Sequence, residues 1–488
     1  MSDMGDDRMI SRDISENKET IKNSYHNSGD LIAYEFETIS NIKMLICYIE
    51  GFIDRKILND DILKPLVIGL KDKKDIKKLI FNTKVQEESS MERIINELNN
   101  GKVGLFIEGE KIAYLIELSS WVKRNIEKPG AESVVRGPKE GFIEDISVNK
   151  VLLRKIIRNS NLVYEDYILG TQTKTTISLA YIKGIVNEKV LEEVRKRISI
   201  INIDAIIESG NIEELIEDHP RALFSTISNA EKPDVVAAKI LEGRVAILTD
   251  GTPHVLVVPK LFIEGLLTSE DYYLRPHYAT FLRALRYISF FTAIYLPGIF
   301  VALQLYHQEM IPTTLLISAA GAREGVPLPA ALEVFIMIMA LELTKESGLR
   351  LPKSIGMTVS IVGALILGQA AVQAGIVSGL TVIIVSIAAI AEFTIPEFTH
   401  GIVISRIIIL ILGALAGIFG ITIGFMIFTV HILTLESFGV PFGWPIAPMD
   451  WEGFKKDTFT RAPIWKMIYR PKALRGNNIK RQVPPRKM

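Results

Sequence analysis

Apolar and polar residues follow two regimes along this 488-residue chain, and the regimes meet near Tyr287. Before that point, short apolar runs alternate with charged stretches. The runs PLVIGL (65–70), VGLFIEG (103–109), KIAYLIELSS (111–120), LVYEDYILG (162–170), TKTTISLAYIKGI (173–185) and RVAILTD (244–250) predict strands, being rich in β-branched and aromatic residues between turn formers. MERIINELNN (91–100), VNEKVLEEVRKRISI (186–200) and VVAAKILEG (235–243) repeat their apolar residues at helical spacing and predict helices. An α/β fold follows. The Pro- and Gly-containing linker 121–142 divides it into two lobes, 29–130 and 131–280. Residues 1–28 hold too few apolar side chains to offset the entropy of ordering and are expected to form a disordered arm.

From Tyr287 to Ala447 the basic residues thin to Arg323, Lys345, Arg350, Lys353 and Arg406, set among long apolar runs. That pattern predicts an α-helical polytopic membrane domain over 281–448. Its first span is 287–306, long enough at about 1.5 Å per residue to cross a core of about 30 Å, with Arg275, Arg283 and Arg286 as cytoplasmic anchors. The second is 328–343, which carries Glu333 and Glu342, followed by a basic loop that the positive-inside rule places in the cytoplasm. In the third, 354–378, Gly356, Ser360, Ala364 and Gly368 recur every four residues and predict close helix packing, with Gln369 and Gln373 on the neighbouring face. The fourth and fifth are 380–395 and 406–433, the last with Gly413, Gly417, Gly420 and Gly424 at small-residue spacing. Five spans would separate the termini, yet the tail 449–488 holds eleven Lys and Arg against three acidic residues and reads as a basic cytoplasmic tail. Either one candidate is re-entrant or 310–320 also enters the membrane; both termini are expected inside.

Polar side chains are expensive at bilayer depth, so Glu333, Gln369 and Gln373, together with Ser360, are candidates for a pathway, as are Glu342 and Glu392. Val362 and Leu365 are candidates for a dewetting constriction. Interhelical hydrogen bonding and simple packing are the competing readings. The formal charge is zero and argues against nucleic acid. The polar first 30 residues lack a secretory h-region, so the soluble lobes are expected in the cytoplasm. Cys47, the single cysteine, reads as a buried small hydrophobe. The seven histidines show no metal-ligand spacing, and the glycines of RGPKEGF and DGTP lack the spacing of a phosphate loop, so neither a metal nor a cofactor is expected. Asp204, Glu208, Glu213, Glu214, Glu217 and Asp218 form an acidic stretch that reads as a solvated face. No nucleophile, base and oxyanion donor set converges, and no enzyme is expected.

Several longer runs carry a resemblance. RGPKEGFIED (136–145), EKPDVVAAKILEGRVAILTDGTPHVLVVP (231–259), YYLRPHYATFLRALRY (272–287), HQEMIPTTLL (307–316), AREGVPLPAALEV (322–334), ESGLRLPKSIG (346–356), GALILGQAAVQAGIVS (363–378), SFGVPFGWPIAP (437–448) and RAPIWKMIYRP (461–471) are similar to the A subunits of spore germinant receptors, the GerA family of endospore-forming bacteria. A stage V sporulation paralogue shares the pattern, and Glu392 and Trp444 depart from the commoner receptor residues. The resemblance implies a multi-pass protein of the inner spore membrane with its large N-terminal domain cytoplasmic. It also implies a homo-oligomer, a pentamer, working with a transporter-like B subunit and a C-subunit lipoprotein, and releasing monovalent cations when germinant binds. The paralogue would amplify ion release, and a non-conducting scaffold is the alternative role.

Overall fold

Short apolar runs in the first 260 residues build two sheets of the same design, their central strands buried almost throughout. The computed structural model describes residues 9–70, 76–80, 84–118, 136–350 and 366–483. In the first lobe β1 (Leu31–Glu37), β2 (Lys43–Ile49), β3 (Val85–Glu88), β4 (Lys102–Ile107) and β5 (Ala113–Glu117) stand in the order β1-β2-β4-β5-β3. In the second, β6 (Leu162–Leu169), β7 (Thr175–Ile182), β8 (Ser228–Ala230), β9 (Val245–Thr249) and β10 (Val255–Val258) stand in the order β6-β7-β9-β10-β8. Every neighbouring pair is antiparallel, and the second order is the first repeated. Cys47 is buried in β2.

The duplication reaches individual hydrogen bonds. Helix α1 (Ile14–Ser24) opens on the sequence DISENK and its counterpart, Ile146–Ile156, on DISVNK. Asp13 and Asp145 each accept a backbone N–H from the first turn, as N-caps do. Asn17 bonds both main-chain groups of Ser11, and Asn149 does the same to Ile143. Gly109, after β4, donates to the Arg12 carbonyl, and Gly251, after β9, to that of Glu144. Residues 9–28 are therefore not the disordered arm that composition suggests. Ile14 and Ile21 on one face of α1, with Ile10 before it and Tyr25 at its end, are buried in the first core, so a few well-spaced side chains suffice.

A second difference concerns PLVIGL, which forms the helix Lys64–Gly69 rather than a strand. It continues a helical run in which Leu58, Ile62 and Leu66 are buried at four-residue spacing. A six-residue apolar run carries no period of its own, and the preceding turns decide it. The longer lobe helices among the described residues include α2 (Met91–Leu98), α3 (Ile146–Ile156), α4 (Glu188–Ile200), α5 (Ser209–Ile216) and α6 (Pro233–Ile240). The lobes meet at a buried ion pair, where the Arg154 Nε donates to Asp30 (2.7 Å) and its Nη2 to Asp30 and to the Leu162 carbonyl.

The helical region includes α7 (Pro276–Tyr306), α8 (Thr313–Arg323), α9 (Ala330–Arg350), the stretch 366–373, α10 (Gly379–Phe393) and α11 (Thr399–Thr434). One hydrophobic core runs without a break from the second sheet into the bundle, through Phe224, Phe262, Phe290, Phe398 and Phe442. Helix α7 and the stretch 396–434 are each long and apolar enough to cross a membrane. Helix α11 reverses direction inside that stretch. Ala416 and Gly417 leave helical geometry, Gly417 at φ +60°, and the chain doubles back. A Cβ on Gly424 would lie 2.5 Å from Ile409, and one on Gly420 would collide with the Leu412 carbonyl. Two limbs, 399–415 and 418–434, of about 25 Å each at 1.5 Å per residue, therefore pack antiparallel. The first leaves the second lobe where Gly401 touches Phe224, turns beside Tyr306 and His307, and the second returns to where His431 meets Leu223.

Candidate functional site

Among the described residues three polar clusters hold the bundle, one at its foot and two within it. At the foot, Thr268 opens a short 3-10 turn that places Asp271 against α7, where Arg283 and Arg286 occupy one face three residues apart. The Arg286 Nη2 donates to Asp271 Oδ1 (2.6 Å) and the Arg283 Nε to Oδ2 (3.1 Å), all three side chains being buried. The Arg283 Nη1 also donates to the Asp457 carbonyl (2.8 Å), and the Tyr272 hydroxyl to the Asp457 carboxylate (3.0 Å). Arg275 alone of the three expected surface anchors is exposed. Arg283 and Arg286 instead lock the second lobe and the C-terminal segment onto the helix. Asp271 precedes the arginines closely in sequence; Asp457 lies 174 residues beyond Arg283 and no local pattern announced it.

Burial alone pushes the Asp271 carboxyl up, but the Arg286 and Arg283 guanidinium groups hold it below the usual range. For Asp457 burial prevails, and its carboxyl is pushed up to about 6 from 3.8 despite Arg283. The folded state thus binds this proton more readily than the unfolded chain. Its contribution to stability is present below pH 3.8 and is lost as pH rises through about 6. We expect the melting midpoint of the native chain to fall between about pH 4 and 6 relative to that of Asp457→Asn, and to level off above; parallel curves would contradict the assignment.

Toward the far end, Glu333 is fully buried on α9. Its Oε1 accepts from the Arg323 Nε of α8 (3.1 Å), and its Oε2 from the Ser378 N–H and the Thr381 hydroxyl at the start of α10 (both 3.0 Å). The Arg323 Nη1 reaches Gln304 of α7 (3.0 Å). A carboxylate at a helix N-terminus receives both its dipole and its unpaired N–H groups. Nearer the lobes, Lys345 donates to Glu342 (3.0 Å) and Glu392 (2.9 Å), and Arg406 pairs with Glu392, reaches Glu342 (3.4 Å) and donates to the Ala293 carbonyl (2.7 Å). Two acids and two bases balance, which is how charge survives away from water.

Of the other candidates, Gln369 and Gln373 are exposed on the helical stretch 366–373, with Ile366, Leu367 and Val372 around them, while a Cβ on Gly368 would lie 3.3 Å from Val382. Gly413 would place a Cβ 2.8 Å from the Gly298 carbonyl of α7. Gly417, Gly420 and Gly424 lie at and after the reversal of α11. Gly356, Ser360, Val362, Ala364 and Leu365 fall outside the described residues. The acidic stretch is only partly a solvated face: Asp204, Glu208 and Glu214 are exposed, but Glu217 accepts from the Thr226 N–H (2.6 Å) and Asp218 from Arg197 (2.5 Å) and the Phe438 N–H (2.6 Å).

A family model described as Bacillus/Clostridium GerA spore germination protein matches residues 19–473. The chain is similar to "Uncharacterized membrane protein YfkQ" of Bacillus subtilis, 41% identical over 97% of this chain and 94% of that one. "Spore germination protein KA" of the same organism is 40% identical over 97% and 89%, and "Stage V sporulation protein AF" 27% over 89% and 90%. Among solved structures, the N-terminal domain of the A subunit of the Bacillus megaterium spore germinant receptor GerK3 is 34% identical, covering 53% of this chain and 99% of that domain, with a TM-score of 0.42.

Proposed function

Since the chain belongs to the GerA family of spore germination proteins, we propose that it is the membrane subunit of a germinant receptor, forming an oligomeric channel that releases monovalent cations when germinant binds. The observation that carries this reading is the face of residues 366–376. There the amides of Gln369 and Gln373 are exposed among apolar side chains, beside a helix start pinned by Glu333. In a bilayer such amides need either a second copy or water, and identical helices around one axis supply both.

The reversal of α11 bears on topology. Counting α7, α9, the run 354–378, α10 and the two limbs of α11 gives six crossings. Both termini then lie on the lobe side, taken as the cytoplasmic face of the inner spore membrane. A transporter-like B subunit would supply germinant recognition and a C-type lipoprotein would complete the receptor. Greater identity to the KA protein than to the stage V protein favours the receptor subunit over the sporulation paralogue. A non-conducting scaffold is the second reading, favoured by the complete internal pairing of Glu333 and Glu392.

Cysteine cross-linking tests the axial face, because the native thiol Cys47 is buried. Gln369→Cys in membranes is expected to give covalent dimers on mild oxidation, while Phe419→Cys, on the exposed outside of α11, gives none. Cross-linking at Phe419 and not at Gln369 would exclude this axis.

A further inference from the structure

The C-terminal segment folds back along the foot of α7. The Tyr287 hydroxyl donates to the Thr458 carbonyl (3.3 Å), the Phe459 ring lies 5.8 Å from that of Tyr287, and the Arg461 N–H donates to the Thr280 hydroxyl (3.1 Å). Tyr287 opens the first long apolar run of the bundle. Residues 454–461 therefore stand level with the lobe-side border of its apolar surface.

At that level the segment leaves its largest apolar side chains uncovered. Trp451 is 64% and Trp465 59% exposed, and Phe459 and Ile464 are exposed with them. Interleaved are Lys455 and Lys466, both exposed and neither with a carboxylate partner among the described residues. Over 449–483 there are nine Lys and Arg against three acidic residues. Indole rings and lysines sharing one irregular segment are poorly served by water alone. A headgroup boundary accommodates both, with rings at the acyl border and ammonium groups on phosphate.

We propose that residues 446–466 form an interfacial anchor that lies on the lobe-side leaflet and binds anionic lipid headgroups. The anchor rests on the reading that the bundle lies in a bilayer. The same segment carries Asp457, so the lipid surface would also press the foot cluster of Arg283 and Tyr272 into place.

The test uses the full chain in vesicles containing brominated acyl chains, made of phosphatidylcholine alone or mixed with phosphatidylglycerol. The emission due to Trp451 and Trp465 is isolated by comparison with Trp451→Phe/Trp465→Phe. We expect about twofold stronger quenching of that emission in the anionic vesicles, and loss of the difference in Lys455→Gln/Lys466→Gln. If the chain floats with the vesicles but these tryptophans stay unquenched, the anchor is overturned and the patch faces a protein. Equal quenching in both lipids overturns the anionic recognition. A chain that does not float overturns the bilayer reading itself.

Discussion

Replacing Arg406 with alanine is expected to destabilise the bundle by on the order of 3–5 kcal/mol. The guanidinium is 1% exposed and bridges α11 to the Ala293 carbonyl of α7, to Glu392 of α10 and to Glu342 of α9. Without it, Glu392, itself 1% exposed, keeps only Lys345, and two carboxylates share one ammonium group. The loss arises from the uncompensated buried charge rather than from the pair's own net value. Arg406→Leu combined with Glu392→Leu leaves Glu342 and Lys345 balanced, and is expected to recover most of the stability. Thermal unfolding in detergent checks both variants. A double variant as unstable as Arg406→Ala would show that shape, not charge, governs this site.

Gly420→Val should be comparably severe, costing about 2–3 kcal/mol and preventing α11 from closing. Any Cβ at this position meets the Leu412 carbonyl, a main-chain atom that cannot rotate away, and the Ala416 side chain at 3.1 Å. In an unbroken helix, residues 412 and 420 stand about 12 Å apart, and valine would be tolerated. The substitution therefore separates a hairpin from a single span. Gly321→Ala on α8, where a Cβ would meet nothing within 4 Å, is the control and is expected to leave the melting midpoint unchanged or slightly raised.

Side-chain period made much of this architecture legible. Runs such as TKTTISLAYIKGI and VNEKVLEEVRKRISI hold the strand β7 and the helix α4, since alternation and helical spacing are local properties. The duplication was equally local and could have been read from DISENK and DISVNK, 132 residues apart. Recognising that repeat would have ordered the N-terminal helix despite its polar composition. The reversal at Ala416 and Gly417 was not legible in the same way. An apolar run with glycines has the same composition whether it continues or folds back, and only the contact of Gly424 with Ile409 separates the two. The foot cluster was hidden for a different reason. Arg283 and Arg286 beside a candidate membrane span suit headgroup anchoring equally well; Asp271 stands close by in sequence, but the second carboxylate on Arg283, Asp457, arrives 174 residues later.

Potassium efflux from vesicles containing the purified chain with the proposed B-type and C-type subunits tests the proposed conduction most directly. Efflux on germinant addition, reduced by Gln369→Leu at matched protein density and absent from protein-free vesicles, is the predicted result. Vesicles that hold the assembled complex and release no cation with germinant present would contradict the channel and leave the scaffold as the role of this bundle.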